Sequence, residues 1–148
     1  MALHKLTLSE LQKKFTAGEV TAREIVHAYT LRINQVEPKV KAYVTLEKDS
    51  AMAHAQALDK KLKGWRHTAP LMGMPIAIKD NICTKGVPTT CASRILRNFI
   101  PPYDATVVDR FRAQEFLLIG KTNLDEFAMG SSTENSSFGP SRNPWNLA

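Results

Sequence analysis

No apolar run in this sequence approaches the roughly 18 residues that a membrane-crossing helix needs, so no helical span is expected. The first residues, MALHKLTLSELQKK, lack the apolar core of a secretory signal. Cysteine is scarce: Cys83 and Cys91 are too few for a disulfide framework, and without an export signal both are expected as reduced thiols of a cytoplasmic protein. Neither stands in a CxxC or at Cys/His ligand spacing, which argues against a zinc site, and no metal site is expected. A P-loop and a GxGxxG are also missing, so no cofactor is expected to bind this chain itself.

The net charge of +6 would suit a polyanion, yet no long basic run carries it and no aromatic residues are interleaved through one. The densest patch is Lys60-Lys61-Leu62-Lys63 with Trp65-Arg66-His67. It reads as a solvated face before it reads as a nucleic-acid contact.

At 148 residues the chain is the size of one ordinary domain and long enough to bury a core. Thr7 and Glu10 have capping-box spacing ahead of Leu8, Leu11 and Phe15, with Gly18 closing that helix. Thr21 and Glu24 repeat the signal before a longer helix with the stripe Ile25, Tyr29, Ile33, Val36, ended by Pro38. Val40 to Leu46 alternates like a half-buried edge strand. A third helix covers about residues 50 to 63, with Ala51, Ala55, Leu58 and Leu62 inward and Gly64 at its end.

Pro75-Ile76-Ala77-Ile78 reads as a short buried strand that delivers Lys79. Burial or a nearby cation would lower the amine from about 10.4, which is how a lysine becomes a base at neutral pH. The plainer reading is a strand that has reached water. A long loop from Asn81 to about Cys91 follows, then a short helical piece at Ser93 to Arg97. Asp104 can cap a helix carrying Val107, Val108 and Phe111. Phe116 to Ile119 reads as a second buried strand ended by Gly120, and Asn123 could begin a short helix through Leu124 and Phe127. Strand, crossover helix, strand predicts an α/β fold with parallel neighbours. From Met129 onward the pattern is loop-like.

The segments GMPIAIKDNICTKGVPTTCAS and, from Gly120 to Asn146, GKTNLDEFAMGSSTENSSFGPSRNPWN resemble consecutive blocks of the amidase signature family. The wording is most similar to the branch formed by the A subunits of the glutamyl-tRNA(Gln)/aspartyl-tRNA(Asn) amidotransferases. The resemblance implies N-terminal helices followed by the first part of a large mixed-sheet α/β fold, incomplete in this sequence. It assigns residues 1–67 to a helical region with one edge strand and 68–148 to the start of the amidase core.

That family works with a Ser-cisSer-Lys triad. By motif position Lys79 matches the catalytic lysine, and Met129, Gly130, Ser131 and Ser132 match a wall of the substrate pocket. Both triad serines lie in a Gly/Ser-rich run beyond the NPW segment, here Asn143-Pro144-Trp145, and no such run occurs in these 148 residues. The chain alone is therefore expected to be inactive. Ser136 and Ser137, like Ser131 and Ser132, read as hydroxyls pairing with loop backbone. Asp125 and Glu126 read as solvent-facing or as holding the loop, and Arg142 and Asn143 as its anchors. Gln114-Glu115-Phe116 departs from the family's usual Ala-Gly-Ala.

What the resemblance implies for function is a glutaminase subunit supplying ammonia for the conversion of Glu-tRNA(Gln) or Asp-tRNA(Asn). The B and C subunits of such a complex would be its partners, with glutamine as donor, misacylated tRNA met through the complex, and ATP and Mg²⁺ used by the partner subunit. A fragment of a stand-alone amidase, an inactive partner-binding scaffold and a small basic nucleic-acid-binding module are the alternatives.

Overall fold

A computed structural model of the chain describes residues 2–62 and 69–147. Gly64 and the Lys63 to His67 part of the basic patch lie outside the described residues. Among the described residues no helix is long and apolar enough to cross a membrane.

Helix α1 (Leu8–Ala17) starts as its capping box dictates. Thr7 Oγ1 accepts the Glu10 N–H at 3.3 Å, and Glu10 Oε2 accepts the Thr7 N–H at 2.8 Å. Gly18, at φ 71°, ends it in the left-handed region. Leu11 and Phe15 are buried, whereas Leu8 stays half exposed.

Helix α2 (Ala22–Val40) repeats the pairing through Thr21 and Glu24, and Asp59 accepts the free Ala22 and Arg23 N–H groups at 2.8 and 3.1 Å. Pro38 does not end this helix; it sits in the last turn. A proline forfeits one donor but its φ is already helical, and Lys41 N–H still closes on the Glu37 carbonyl at 2.9 Å. The chain leaves the helix at Lys41, with φ 53°.

Strand β1 (Tyr43–Leu46) is half-buried throughout, and helix α3 (Lys48–Lys61) buries Ala51, Ala55 and Leu58. Strand β2 (Pro75–Lys79), helix α4 (Thr106–Arg112) and strand β3 (Leu117–Thr122) follow. The sheet order is β1-β3-β2. β1 runs antiparallel to β3, with Tyr43 opposite Thr122 and Leu46 opposite Gly120. β2 and β3 run the same way: Leu117 N–H reaches Met74 O, and Asp80 N–H reaches Thr122 O. The fold is mixed α/β, as expected.

Three local expectations change. β3 continues through Gly120 to Thr122, because this glycine is a place of close approach, not a stop: a Cβ there would lie 2.4 Å from the Thr45 carbonyl oxygen. Residues 93–97 form turns held by Ser93 Oγ to Ile95 N–H and Arg94 O to Arg97 N–H, with no helix. Asn123 opens no regular helix. Only a 3₁₀ turn, Glu126–Ala128, forms there, and Phe127 inside it has φ 52°. Asp104 accepts the Lys85 N–H at 2.6 Å. The Gln114-Glu115-Phe116 junction packs well: Phe116 is buried with its ring centroid 5.6 Å from that of Phe111, and Glu115 takes Lys61 and His54.

Two compact units emerge. One comprises Met1–Asn34, Glu47–Ile76 and Arg110–Ile119; the other comprises Gln35–Leu46, Ala77–Asp109 and Gly120–Ala148. In the first the core is apolar, centred on Leu11, Ile25, Val26, Leu58, Met74 and Leu117. Gly73 belongs to it: its φ is 73° and a Cβ would meet the Phe15 ring at 2.7 Å. The second holds every buried polar residue among those described: Asp80, Thr84, Thr89, Thr90, Ser93, Lys121, Asp125 and Ser136.

Candidate functional site

Lys79 and the Met129 to Ser132 segment, the site residues expected from the resemblance, fall in the second unit. Lys79 ends β2, as predicted, and it is exposed, so of the two readings offered for its side chain the strand that has reached water is the one seen in this chain. The reason is the pleat. Side chains alternate along a strand, and Ile78 and Asp80 flank Lys79 as buried neighbours, so Lys79 faces the other way.

The buried lysine is Lys121, on β3. Its side chain is fully shielded, and the amine donates to Ile82 O at 2.9 Å and Thr89 Oγ1 at 2.7 Å, with Asp80 Oδ1 3.6 Å away. Burial pushes this amine below the ordinary lysine range, and Asp80 works against that shift. Sequence reasoning missed Lys121 because it stopped the strand at Gly120. Continuing the alternation Leu117, Ile119, Lys121 would have placed it inward.

Asp80 is wholly buried and ties the lysine-bearing strand end to the following loop. Its Oδ2 accepts the Thr90 N–H at 3.0 Å and the Thr90 hydroxyl, and its backbone carbonyl accepts the Cys91 N–H at 3.0 Å. Its Oδ1 has no hydrogen-bond donor. The Lys79 carbonyl accepts the Ile82 N–H at 3.0 Å, closing a tight turn directly after the strand. Cys83 and Cys91 are free thiols. Burial, ahead of Asp80, pushes the Cys91 thiol up.

The Met129 to Ser132 segment is a built loop. Asp125 stands at its centre, with Oδ2 accepting the Ser132 and Thr133 N–H groups at 3.0 and 2.8 Å and Oδ1 accepting that of Asn135 at 3.0 Å. These bonds, led by Asn135 and Thr133, hold its carboxyl below the usual range. Of the two readings offered for Asp125, holding the loop is the one its geometry supports. Gly130 is required beside it, because a Cβ would meet Asp125 Cγ at 2.5 Å. Met129, Ser131 and Ser132 are exposed on this loop.

Both hydroxyls of the Ser136-Ser137 pair find partners in the second unit. Ser136 Oγ donates to Asn123 Oδ1 at 2.6 Å, and Ser137 Oγ to Ala92 O at 2.7 Å. Arg142 N–H reaches Val40 O at 2.8 Å and anchors the tail of the loop.

The two candidate segments are stitched together through Cys91 and Ala92. Cys91 binds the Asp80 carbonyl through its N–H and accepts the Phe127 N–H at 2.9 Å, while Ala92 O also accepts the Ser137 N–H at 3.0 Å. One short link thus sets both the end of β2 and the flanks of the 129–132 loop. Among the described residues no group of three or more His, Cys, Asp or Glu side chains could hold a metal ion.

The second unit thus combines a strand-end lysine with a serine-rich loop held by the Asp125 carboxylate. A profile of the Amidase family matches residues 24–148, and the chain belongs to the amidase signature family. Over 145 residues it is 51% identical to the A subunit of the glutamyl-tRNA(Gln) amidotransferase of Desulforudis audaxviator, covering 98% of this chain and 30% of that protein. The chain thus spans about 30% of the length of the curated relatives it matches.

Among solved structures it resembles the A subunit of the glutamyl-tRNA(Gln) amidotransferase of Thermotoga maritima. That pair shares 38% identity, with a TM-score of 0.73 over 98% of this chain and 28% of the other. It also resembles the native peptide amidase of Stenotrophomonas maltophilia, at 32% identity, with a TM-score of 0.85 over 97% of this chain and 31% of the other.

Proposed function

We propose that this chain carries the lysine-bearing part of a glutaminase, the A subunit of a tRNA-dependent amidotransferase. The observation that carries the reading is the 51% identity, over nearly the whole chain, to a subunit of that kind. Lys79 is the general base. In its neutral form it takes, by way of a relay serine, the proton of a nucleophilic serine, whose oxygen attacks the side-chain amide carbon of glutamine. Ammonia leaves, and water hydrolyses the resulting ester to glutamate.

The loop of Met129, Gly130, Ser131 and Ser132 supplies one wall of the amide pocket. Its small residues bring backbone N–H and C=O groups close to a polar substrate. Both serines of the triad come from sequence beyond these 148 residues, so the chain by itself releases no ammonia. Residues 68–148 are the start of the catalytic core on this reading, and 1–67 precede it.

The ammonia converts Glu-tRNA(Gln) to Gln-tRNA(Gln), or Asp-tRNA(Asn) to Asn-tRNA(Asn), in a complex with the B and C subunits. ATP and Mg²⁺ serve the partner subunit that activates the misacylated tRNA. The reading implies a cytoplasmic protein.

The test is ammonia release from glutamine, by this chain alone and after mixing with a polypeptide that supplies the serine-bearing remainder of the family. Release by the mixture, absent from the chain alone and abolished by Lys79→Ala, supports the proposal. Release that survives Lys79→Ala overturns it. A second reading, a stand-alone amidase for small amides, draws support from the higher TM-score to the peptide amidase. A mixture that cleaves simple amides and spares glutamine selects that one.

A further inference from the structure

The proposed chemistry leaves one feature of the second unit unused: a fully buried ion pair beside the residue that performs it. We propose that Asp80 and Lys121 are the positioning pair for Lys79, fixing the end of β2 so that its exposed amine points in one direction. The inference rests on the reading of Lys79 given above.

Seven hydrogen bonds carry it. Asp80 follows Lys79 directly, and its backbone is held on both sides, its N–H on Thr122 O and its carbonyl by Cys91 N–H. Its carboxylate holds Thr90 through both the N–H and the hydroxyl. Lys121 donates to the carbonyl of Ile82, the residue whose own N–H closes the turn on Lys79 O. The remaining Lys121 contact is Thr89, next to Thr90. One cation and one anion therefore clamp the strand end, the turn after it and the Thr89-Thr90 part of the loop.

A buried charge pair is a costly way to fill space, since well-packed apolar residues of similar volume are often as stable or more so. What the pair supplies and an apolar pair would not is direction: two oxygen acceptors held around one ammonium, and two donors around one carboxylate oxygen. Asp80 Oδ1 accepts no hydrogen bond and lies 3.6 Å from Lys121 Nζ, so the hydrogen bonds that hold each side chain are made to other partners. Neither residue is a catalytic residue; both act through Lys79.

The experiment uses Lys121→Met, Asp80→Asn and the double variant. Amide hydrogen exchange on the chain comes first. In Lys121→Met, exchange at Asp80, Ile82, Thr90 and Cys91 is expected to rise about tenfold or more, while Glu47 and Leu117 hold near the unsubstituted values. A uniform rise at all six, or none, overturns the proposal.

Should Lys121→Met fail to fold, the double variant takes its place, because it removes both charges while the asparagine amide oxygen can still accept from Thr90. Its glutaminase kinetics in the mixture with the serine-bearing polypeptide are read beside those of Lys79→Ala. Positioning predicts that the double variant loses about tenfold or more in kcat with KM for glutamine little changed. A wild-type kcat in a well-folded double variant means that the pair serves stability alone, and the proposal falls while the glutaminase reading stands. Ammonia release that survives Lys79→Ala removes the glutaminase reading and, with it, the role assigned to the pair. Where no mixture releases ammonia, the exchange pattern alone decides whether the pair holds the strand end.

Discussion

The two compact units are ordered by opposite means. In the first, buried side chains are almost all aliphatic or aromatic, and the helices present stripes such as Leu11-Phe15 and Ala51-Ala55-Leu58. In the second, eight polar or charged residues are buried, while Ile95, Met129 and Trp145 stand 83%, 74% and 95% exposed. Hydrophobic burial is non-directional and roughly proportional to area, so it builds a body. Satisfied buried hydrogen bonds are directional, so they fix the path of a loop. Both candidate segments, around Lys79 and around Ser131, lie in the unit built by the second method.

This contrast can be broken from the polar side. Lys121→Met leaves Asp80 buried without its counter-ion, and removing one partner of a buried pair costs about 3–5 kcal/mol. Adding Asp80→Asn should recover more than half of that loss, because the cost lies mainly in the orphaned charge. Denaturant melts of the single and double variants check it. A double variant no more stable than the single one would mean that the second unit depends on packing as the first does.

From the apolar side the expected loss is slightly smaller and has no such remedy. Leu58, 1% exposed, fills the first unit beside Ala55 on its own helix. Leu58→Ala should cost about 2–4 kcal/mol through lost transfer energy and the cavity left behind. No removal of a neighbouring group should restore it. The same melts give the comparison.

Legibility in the sequence follows the same division. The capping boxes, the stripes of α1 to α3 and the glycine at 18 are local signals, spread over three or four residues, and the structure bears them out. The order strand, helix, strand was legible too. The second unit was not, because its determinants are distant in the chain. Lys121 reaches Ile82 across 39 residues and Thr89 across 32, and no periodicity announces such a contact. Lys79 was found by motif, with a buried amine and a strand end in water both left open. The phase of the strand, with Ile78 and Asp80 inward, carried the correct answer. Pro38 and Gly120 were read as stops because residue type was weighed ahead of position. One sits in a last turn that tolerates it, and the other permits Thr45 to come close.

The charges of the second unit also give it a pH signature that the first should lack. Burial holds Lys121 below its ordinary range, so the unfolded chain binds this proton more readily. Stability from this group is therefore complete above its unfolded value of about 10.4 and is lost as pH falls toward the folded value. Tyr29 and Cys91, both pushed up by burial, titrate with the opposite sign, but they are common to every variant. The unfolding free energy of the parent minus that of Lys121→Met/Asp80→Asn should thus rise with pH on approaching 10.4. Asp125 acts at the other end of the scale. Its carboxyl is held low by the Asn135, Thr133 and Ser132 N–H groups, so its contribution is complete above about pH 4 and lost as pH falls through the folded value. Amide exchange at residues 132, 133 and 135 should quicken there before exchange at Leu117 does.

The smallest effect sharpens the contrast, because it concerns a polar contact in the apolar unit. Thr7 and Glu10 satisfy each other at the start of α1, but both are exposed, and water can replace either bond. Thr7→Ala should cost about 1 kcal/mol, the ordinary loss of an N-cap. Glu10 is held below the usual carboxylate range chiefly by the Thr7 N–H and hydroxyl, so part of this contribution is present above about pH 4.3 and lost as pH falls through its folded value. Melts of Thr7→Ala and parent at neutral and acid pH should therefore converge on acidification. A loss as large as that of Lys121→Met would mean that directional contacts matter as much in the helical unit as around Lys79, and the division drawn between the two would not stand.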